Sequence, residues 1–328
     1  MIPTKVRAIT LLSFATILAI VTLATPTPNA QLSWITLGTE SGPITNAERS
    51  EPANVLLVNG NPWIVDCGDG AMERLAGAGF RPGQVNRAFI SHLHMDHIGG
   101  LQGLIGLRWF TGAKDVLTIY GPPGTDAVVA GILQSLKPSV RIGLGVPMQS
   151  LTPEQQTKVV IVKDGADVTV DGVRVRAVRN SHFDDRPGHP ADNGSQSLSY
   201  RFDYNGHAIG FTGDTGPSEA IARLEQGADL LVSEVMDKPA MIAAFNQNAK
   251  IPLPPEAQAA VAEHFKTQHL SPQESGKIAA DAGVRRLVFT HLGIPGQTNV
   301  EAPKLIKEAH ETFKGEVIVA HDLDRFEP

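Results

Sequence analysis

The chain has 328 residues, of which 42% are hydrophobic and 19% charged, so it is long enough for one large domain or two small ones with a substantial core. Its formal net charge is -6 and no basic block stands out, which argues against binding to nucleic-acid phosphates as its main role. The single cysteine, Cys67, excludes an intramolecular disulfide and a thiolate metal cluster. Any metal must therefore be held mainly by histidine, aspartate or glutamate.

The N-terminal thirty residues have the order of parts found in a secretory signal. Lys5 and Arg7 precede an uncharged run, 8–24, and Ala30 offers a small residue for cleavage. We expect residues 1–30 to be a signal peptide and 31–328 to be the mature domain. An uncleaved membrane anchor is the alternative, because the apolar run approaches the ~18 residues that begin to suggest a membrane span. Either reading predicts a periplasmic or secreted protein.

The remaining chain is rich in strands at first and then alternates helices with strands. We predict strands at 32–37, 54–58, 62–67, 88–91, 116–120, 158–162, 167–170, 173–178, 197–204, 207–212, 230–233, 286–290 and 316–320. We predict helices at 71–78, 101–110, after Pro123, and at 218–226, 254–265, 272–282 and 302–313. Gly60-Asn61 and Asn205-Gly206 are expected at hairpin turns. Two strand-rich halves, each with helices, predict stacked sheets with helices outside.

Four residues capable of binding a metal follow the short apolar strand 88–91. His92 and His94 are two residues apart, so they project from the same face at the end of a strand, and Asp96 and His97 follow as the chain turns. Imidazole and carboxylate ligands without thiolates suit Zn²⁺. This segment therefore predicts a metal site.

Further candidate ligands lie after other predicted strands. They are His182, Asp214 and His291. Strand ends are where layered α/β proteins tend to place their sites. Each of these residues is weak evidence alone, and together with the histidine cluster they favour a larger metal centre.

The order of these motifs resembles the ligand set of the metallo-β-lactamase superfamily. The segments 37–39 and 65–70 are also similar to the opening strands of that family. The resemblance covers the chain from about residue 31 to its end, and it implies an α/β fold, the four-layer αββα sandwich. It also implies that residues 31–328 form a hydrolase domain.

Two further residues narrow the resemblance to the ribonuclease Z and arylsulfatase-like branch. His269 resembles the extra histidine of that branch, and Glu234 resembles its acidic partner. Bacterial ribonuclease Z carries a long arm for tRNA between the third and fourth ligand motifs, whereas the stretch from His182 to Asp214 leaves room only for a short loop and a hairpin. Together with the export signal and the acidic balance, this argues against a nucleic-acid partner.

The resemblance implies a site with two zinc ions, other divalent metals being compatible with the same ligands. Zinc one is assigned to His92, His94 and His182, zinc two to Asp96, His97 and His291, and a bridging position to Asp214. Water activated between the metals would be the nucleophile. Asp96 is also a candidate to orient that water. His269 is a candidate to protonate the leaving group, with a capping or solvated histidine as the alternative.

Other residues receive weaker assignments. Asp66 and Asp69 are expected to orient ligand imidazoles, and His189 is a candidate substrate contact. The segment 236–253 is a candidate apolar wall, with ordinary helix packing as the alternative. The remaining histidines, among them His264, are expected to be structural.

The sequence therefore predicts an exported dinuclear zinc hydrolase of small sulfate or phosphate esters, like arylsulfatases or cyclic-nucleotide phosphodiesterases. A lactonase or β-lactamase-type carbonyl hydrolase is the alternative, since the same centre would serve and only the pocket would differ. A metal-binding or di-iron redox protein is disfavoured by the histidine-rich set. The expected partner is a small-molecule ester, with no nucleic acid and no membrane contact beyond an uncleaved anchor, and a dimer is compatible with the sequence.

Overall fold

The computed structural model describes residues 32–42, 45, 47–143, 151–184, 194–248, 254–296 and 298–328. Within these ranges, two seven-stranded sheets pack face to face and helices cover their outer faces. This is the predicted four-layer αββα sandwich. The predicted signal peptide at 1–30 lies outside the described residues. No helix in the described part of the chain is long and apolar enough to cross a membrane.

The first sheet contains, in spatial order, β14 (Arg325–Phe326), β1 (Leu32–Gly38), β2 (Ala53–Val58), β3 (Asn61–Cys67), β4 (Arg87–Phe89), β5 (Leu117–Gly121) and β6 (Thr157–Ile161). The second contains β13 (Glu316–Val319), β12 (Arg286–Gly293), β11 (Leu230–Met236), β10 (His207–Phe211), β9 (Leu198–Tyr204), β8 (Val173–Arg179) and β7 (Asp167–Val170). Each half of the chain thus builds most of one sheet, and the C-terminal strand β14 returns to the first.

The helices connect the strands and lie on the outside of the sandwich. They are α1 (Ala71–Gly77), α2 (Met95–Ile98), α3 (Leu101–Phe110), α4 (Thr125–Ile142), α5 (Glu219–Leu224), α6 (Lys238–Asn248), α7 (Pro255–Gln268), α8 (Pro272–Ala282) and α9 (Thr298–Ala309), with a 3₁₀ turn at Pro82–Gln84. The start of α8 is fixed by Ser271, whose hydroxyl accepts from the Glu274 N–H while the Glu274 side chain accepts from the Ser271 N–H.

Three hydrophobic clusters fill the spaces between the four layers. The central one lies between the sheets and contains Trp34, Trp63, Phe89, Tyr200 and Phe202, all with at most 2% of their surface exposed. A second cluster joins the first sheet to α1, α3 and α4, and a third joins the second sheet to α5, α8 and α9. Because each sheet is covered on both faces, strands β1, β2 and β11 are buried along their whole length.

Two hairpin turns show how local sequence sets the register. Asn205 and Gly206 have φ angles of 49° and 83°, the left-handed conformation that joins β9 and β10 in a tight turn. The turn between β2 and β3 uses Asn59 and Gly60, at φ 49° and 79°, so the predicted pair Gly60-Asn61 was one residue too late. In both hairpins the two turn positions are the Asn-Gly pair, because these residues readily adopt the left-handed backbone conformation.

The strand directions bring the candidate ligands to one edge of the sandwich. Strands β10, β11, β12 and β13 are parallel, and β8 and β10 are each antiparallel to β9, so β8 runs the same way as β10. His182 and Asp214 follow the ends of β8 and β10, and His291 lies near the end of β12. From the first sheet, β4 delivers the segment that begins at His92.

Candidate active site

Three histidines form the first candidate metal-binding group, which we call group one. The Nε2 atom of His92 lies 3.0 Å from Nδ1 of His94, and Nε2 of His182 lies 3.3 Å from the same atom. His92 and His182 are buried, while His94 is exposed. Three imidazole nitrogens that converge in this way can direct their lone pairs at one cation.

Four residues form the second group, group two, which consists of Asp96, His97, Asp214 and His291. Nε2 of His97 is 3.3 Å from Oδ1 of Asp214 and 3.4 Å from Oδ2 of Asp96. Nε2 of His291 is 3.1 Å from Oδ2 of Asp214. The same Oδ2 atom lies 4.0 Å from Nε2 of His92, so Asp214 stands between the two groups.

Asp66 orients the segment that begins at Ser91 and ends at His97. Its carboxylate accepts from the N–H and hydroxyl of Ser91, each at 2.7 Å, and from Nδ1 of His97 at 2.8 Å. Because Nδ1 of His97 is engaged there, its Nε2 faces the site. Asp66 itself has a φ of 54°, an uncommon conformation for a residue other than glycine. Asp69, the other residue predicted for this role, is exposed.

The buried polar atoms of group two fit a bound metal. Nε2 of His97, Oδ1 of Asp214 and both ring nitrogens of His291 have no hydrogen-bond partner among the described residues. Buried polar groups are normally paired, and leaving them unpaired costs about 1–3 kcal/mol each. The nitrogen and oxygen ligands of both groups are those that Zn²⁺ prefers where thiolates are absent. The residues present therefore fit two metal ions.

Burial and charge prepare the histidines differently in the two groups. Burial lowers the pKa of His92 and His182 well below the ordinary value, so both rings are neutral, as a metal ligand must be. In group two, burial alone would lower the pKa of His97 and His291, yet the neighbouring Asp214 carboxylate raises both well above that value. Without a metal, those two rings hold protons beside Asp214.

A histidine–glutamate pair lies next to both groups. Nδ1 of His269 is 2.8 Å from Oε2 of Glu234, whose other oxygen accepts from the Thr215 N–H at 2.5 Å. The His269 ring lies 5.2 Å from the ring of His182 and stacks 5.9 Å from that of His291. Burial raises the pKa of Glu234, although His269 opposes this shift. The pair therefore places His269 beside residues of both groups, with a ligand atom of His269 within 4.8 Å of ligand atoms of His182 and Asp214.

His264, which was predicted to be structural, lies beside this pair. Its Nε2 lies 3.3 Å from Nε2 of His269, and its Nδ1 lies 2.8 Å from Oε1 of Gln268 on the same helix. The backbone oxygen of Gln268 lies 2.9 Å from Nδ1 of His182. His264 and Gln268 lie one helical turn apart on α7. This spacing in the sequence indicates that their side chains are neighbours.

The loop after β1 contacts group two and was also missed. The N–H of Gly42 donates to Oδ2 of Asp96 at 3.2 Å, and a side chain at Gly42 would overlap Asp96. A buried ion pair of 2.7 Å between Arg49 and Glu40 crosses the loop. The loop also brings Glu51 near Asp96, where burial and then the Asp96 charge raise the pKa of Glu51 to about 7.

Asp322, in the turn before β14, anchors that loop from the far end of the chain. Its carboxylate accepts from the N–H of Thr39 at 3.0 Å and from the N–H of Ser50 at 2.8 Å, and it pairs with Arg74 at 3.0 Å. The N–H of Leu292, next to His291, donates to the Thr39 oxygen at 2.8 Å. The loop is thus fixed between the C-terminal turn and a metal-binding strand.

The structure brings together all seven predicted metal ligands and places His269 beside them. His189 lies outside the described residues, as do 249–253 of the predicted apolar wall. The described part of that wall is helix α6, which packs on α7 through Phe245 and Phe265, whose rings are 6.3 Å apart.

Comparison with known proteins decides the family. A family model described as a beta-lactamase superfamily domain matches residues 63–292. The chain belongs to this superfamily. A ribonuclease Z from Mycobacterium avium (strain 104) is 30% identical to it over 295 residues, which are 88% of this chain and 95% of that relative. Within the superfamily, the chain lies on the ribonuclease Z branch, as predicted.

Solved structures show the same fold. The metallo-beta-lactamase fold protein YhfI from Bacillus subtilis aligns with a TM-score of 0.65 at 22% identity, over 90% of this chain and 99% of that one. The short form of human tRNase Z aligns with a TM-score of 0.60 at 22% identity, again over 90% of this chain and 99% of the other. Proteins of this superfamily are metal-dependent hydrolases whose fold generally binds two zinc ions, so this chain is a metal-dependent hydrolase. Its two candidate groups of histidine and aspartate suit that metal content.

The comparisons also overturn two predictions. The expected hydrolysis of small sulfate or phosphate esters and its lactonase or β-lactamase alternative are wrong, because the similar curated relatives are ribonucleases by name. The prediction of a small-ester partner without nucleic acid is wrong for the same reason. It rested on the export signal expected at 1–30, on the net charge of -6 and on the short segment between His182 and Asp214. A net charge averages over the whole surface and does not describe the field at one cleft.

Proposed function

We propose that this protein is a metal-dependent endoribonuclease that hydrolyses phosphodiester bonds in RNA, for which precursor tRNA serves as the model substrate in vitro. The observation that supports this most is the position of the His269–Glu234 pair beside two metal-binding groups, in a chain 30% identical to a ribonuclease Z over 88% of its length.

The reaction places two demands on the site. Water must attack the phosphorus atom, and the ribose oxygen that leaves must gain a proton. Zinc bound at groups one and two would supply Lewis acidity, which would make water a better nucleophile near neutral pH and offset the charge of the phosphate. His92, His94 and His182 would hold one ion and Asp96, His97 and His291 the other, with Asp214 between them.

The second demand falls on His269. Its Nδ1 is engaged by Glu234 at 2.8 Å, so its Nε2 is the atom that would give a proton to the leaving oxygen. The Glu234 carboxylate orients the ring and offsets the positive charge of the protonated imidazole. The Thr215 N–H in turn fixes the other oxygen of Glu234. Because Glu234 and His269 are buried, solvent competes little with this exchange.

Purified protein reconstituted with Zn²⁺ should cut a precursor tRNA that carries a 3′ extension, and the cut should disappear with a chelator. A DNA strand of the same sequence and an unstructured RNA test the substrate class. The Asp214→Asn variant serves as the control for a contaminating nuclease. If the wild-type protein binds two metal equivalents and leaves every RNA intact, the proposal is wrong.

His269→Ala should reduce kcat on RNA by about 10²–10⁴-fold, the usual contribution of a general acid. The loss should be much smaller on bis(p-nitrophenyl) phosphate, because p-nitrophenolate leaves without a proton. Glu234→Gln should fall between wild type and His269→Ala. Equal losses on both substrates would show that His269 does not protonate the leaving group.

We also propose that residues 1–30 direct the catalytic domain out of the cytoplasm, which rests on their pattern alone. An alkaline phosphatase reporter fused after residue 40 should be active, since that enzyme folds only after export. A fusion that starts at residue 31 should be inactive. An inactive first fusion would place the protein in the cytoplasm.

A further inference from the structure

A row of partly exposed aromatic side chains leads away from group one. Phe183 lies 5.1 Å from the ring of His94 and 4.8 Å from that of His182. His264 follows at 5.9 Å from His182, and Phe265 at 5.7 Å from His264. Phe245 ends the row on α6, 6.3 Å from Phe265. We call Phe183, His264, Phe265 and Phe245 the aromatic row.

The aromatic row is partly open to solvent, unlike the aromatic core between the sheets. Each of its four members is half-buried, whereas the core aromatics Trp34, Phe89 and Tyr200 are fully buried. The row is also continuous with the metal-binding residues, because Phe183 contacts the rings of both His92 and His94. A ligand extending from the reacting phosphate along this side would meet one ring after another.

Charge near the aromatic row suits a phosphate backbone. Lys266, next to Phe265, is exposed, whereas the neighbouring Lys238 is buried and pairs with Glu274. On the other side of His94, Met95 is 72% exposed and adds an apolar surface. Flat apolar rings with a nearby cation are the elements used to bind unpaired nucleotides, since every base has a face that can stack.

We propose that the aromatic row is a stacking site for unpaired nucleotides of RNA adjacent to the bond that is cut. This inference rests on the proposed function for the identity of its ligand. Base-paired RNA does not fit such a site, because the faces of its bases are covered by their neighbours in the helix. The helical pair α6–α7 is then the element that selects a single-stranded segment.

Packing between α6 and α7 is the competing role for Phe265 and Phe245, and the substitutions can separate the two. Leucine retains apolar volume and the contact between the helices but removes the aromatic face. Tyrosine retains that face. A stacking role therefore predicts that Phe265→Leu and Phe245→Leu lose RNA binding and that Phe265→Tyr keeps it, whereas a packing role predicts no such order.

The test measures binding without hydrolysis. Full-length protein in EDTA is titrated with a short single-stranded RNA that contains 2-aminopurine, whose fluorescence falls when it stacks. Each leucine variant should raise Kd by about tenfold, within the range expected for loss of one base–aromatic contact. The quenching should weaken with it. Phe110→Leu, at an exposed position on α3 away from the site, is the matched control.

The outcomes distinguish this inference from the proposed function. If the leucine variants bind the RNA as tightly as wild type and quench it equally, the stacking site is wrong, even where the metal-loaded enzyme cuts RNA. If they bind weakly in EDTA, the stacking site is supported, even where no RNA is cut. A duplex of the same sequence should show no difference between variants, and an equal loss on the duplex would overturn the proposal.

Discussion

Group one and group two share Asp214 but are built from different chemistry. Group one consists of three histidines, and burial keeps the rings of His92 and His182 neutral. Group two adds the carboxylates of Asp96 and Asp214 to two histidines, and Asp214 keeps those two protonated when no metal is bound. Desolvation thus sets the protonation of the histidines in group one, and the charge of Asp214 sets it in group two.

The two groups also differ in what supports them. Group one is attached to strand ends of both sheets and to the Gln268 backbone oxygen at the end of α7. Group two depends on the loop after β1, through Gly42, and that loop depends in turn on Asp322. We therefore expect group two to be the more easily weakened by changes remote from the site.

The strongest test of the comparison removes the residue that both groups share. Asp214→Asn takes away the negative charge between the two metals, so turnover should fall to the level of the metal-free protein. Bound zinc, measured by atomic emission, should fall from two equivalents to one or fewer. If two equivalents remain, Asp214 does not join the two groups.

A smaller effect is expected from Asp322→Asn, which affects group two alone. Asparagine can accept from Thr39 but places an N–H toward Ser50 and Arg74, so the loop loses part of its support. The affinity for the second metal should fall about tenfold, at the lower end of the range for residues that orient ligands. Competition with a coloured chelator measures each binding step separately.

Asp324→Asn, in the same turn, is the control for Asp322. Its carboxylate accepts from the His321 N–H at 2.8 Å and is partly exposed. If Asp322→Glu restores the second binding step, the effect depends on the carboxylate and not on the general stability of the fold. Equal weakening of both binding steps, or a lower Tm with unchanged metal affinity, would show that Asp322 only stabilises the fold.

The smallest effect concerns the pH dependence of stability in the metal-free protein. Burial lowers the pKa of His182 in the folded state, while the unfolded chain takes up a proton below its ordinary value of 6.5, so His182 makes folding less favourable as the pH falls below that value. His291 behaves in the opposite way. Burial would lower its pKa but Asp214 raises it, so its contribution is complete below 6.5 and is lost as the pH rises through the folded pKa.

His182→Gln should therefore reduce the loss of stability on the acid side, and His291→Gln should reduce the loss on the alkaline side. Each change is at most about 1.4 kcal/mol per pH unit, the value for one proton. Urea unfolding in EDTA between pH 5 and 9 measures both. If the two variants change the same side of the profile, the contrast between the groups is wrong.

Local patterns predicted the layers and the ligands because each depends on few neighbouring residues. The strand that ends before His92 and the hairpin at Asn205 are examples. Helix α6 was predicted only as the alternative of ordinary helix packing for 236–253, since its sequence has no continuous apolar stripe. The support of group two could not be found this way, because Asp322 and Thr39 are 283 positions apart and nothing local signals their contact.

The wrong prediction that nucleic acid is not a partner has a different physical cause. Net charge is a property of the whole chain, and the short segment shows only that a long arm is missing at one place. RNA binding depends instead on where a few side chains lie. The aromatic row joins Phe183, His264 and Phe245 from three separate segments, and only the fold brings them together.

The site is completed in a fixed order during synthesis, because Asp322 follows every candidate ligand in the chain. All the candidate ligands, from His92 to His291, leave the ribosome before it does. Thr39 and Ser50 are synthesised long before the carboxylate that fixes them, since 272 positions separate Ser50 from Asp322. A chain that stops short of Asp322 contains every metal ligand and lacks the contact that closes the loop over Asp96. A site built in this way gains its full support only once Asp322 has been synthesised.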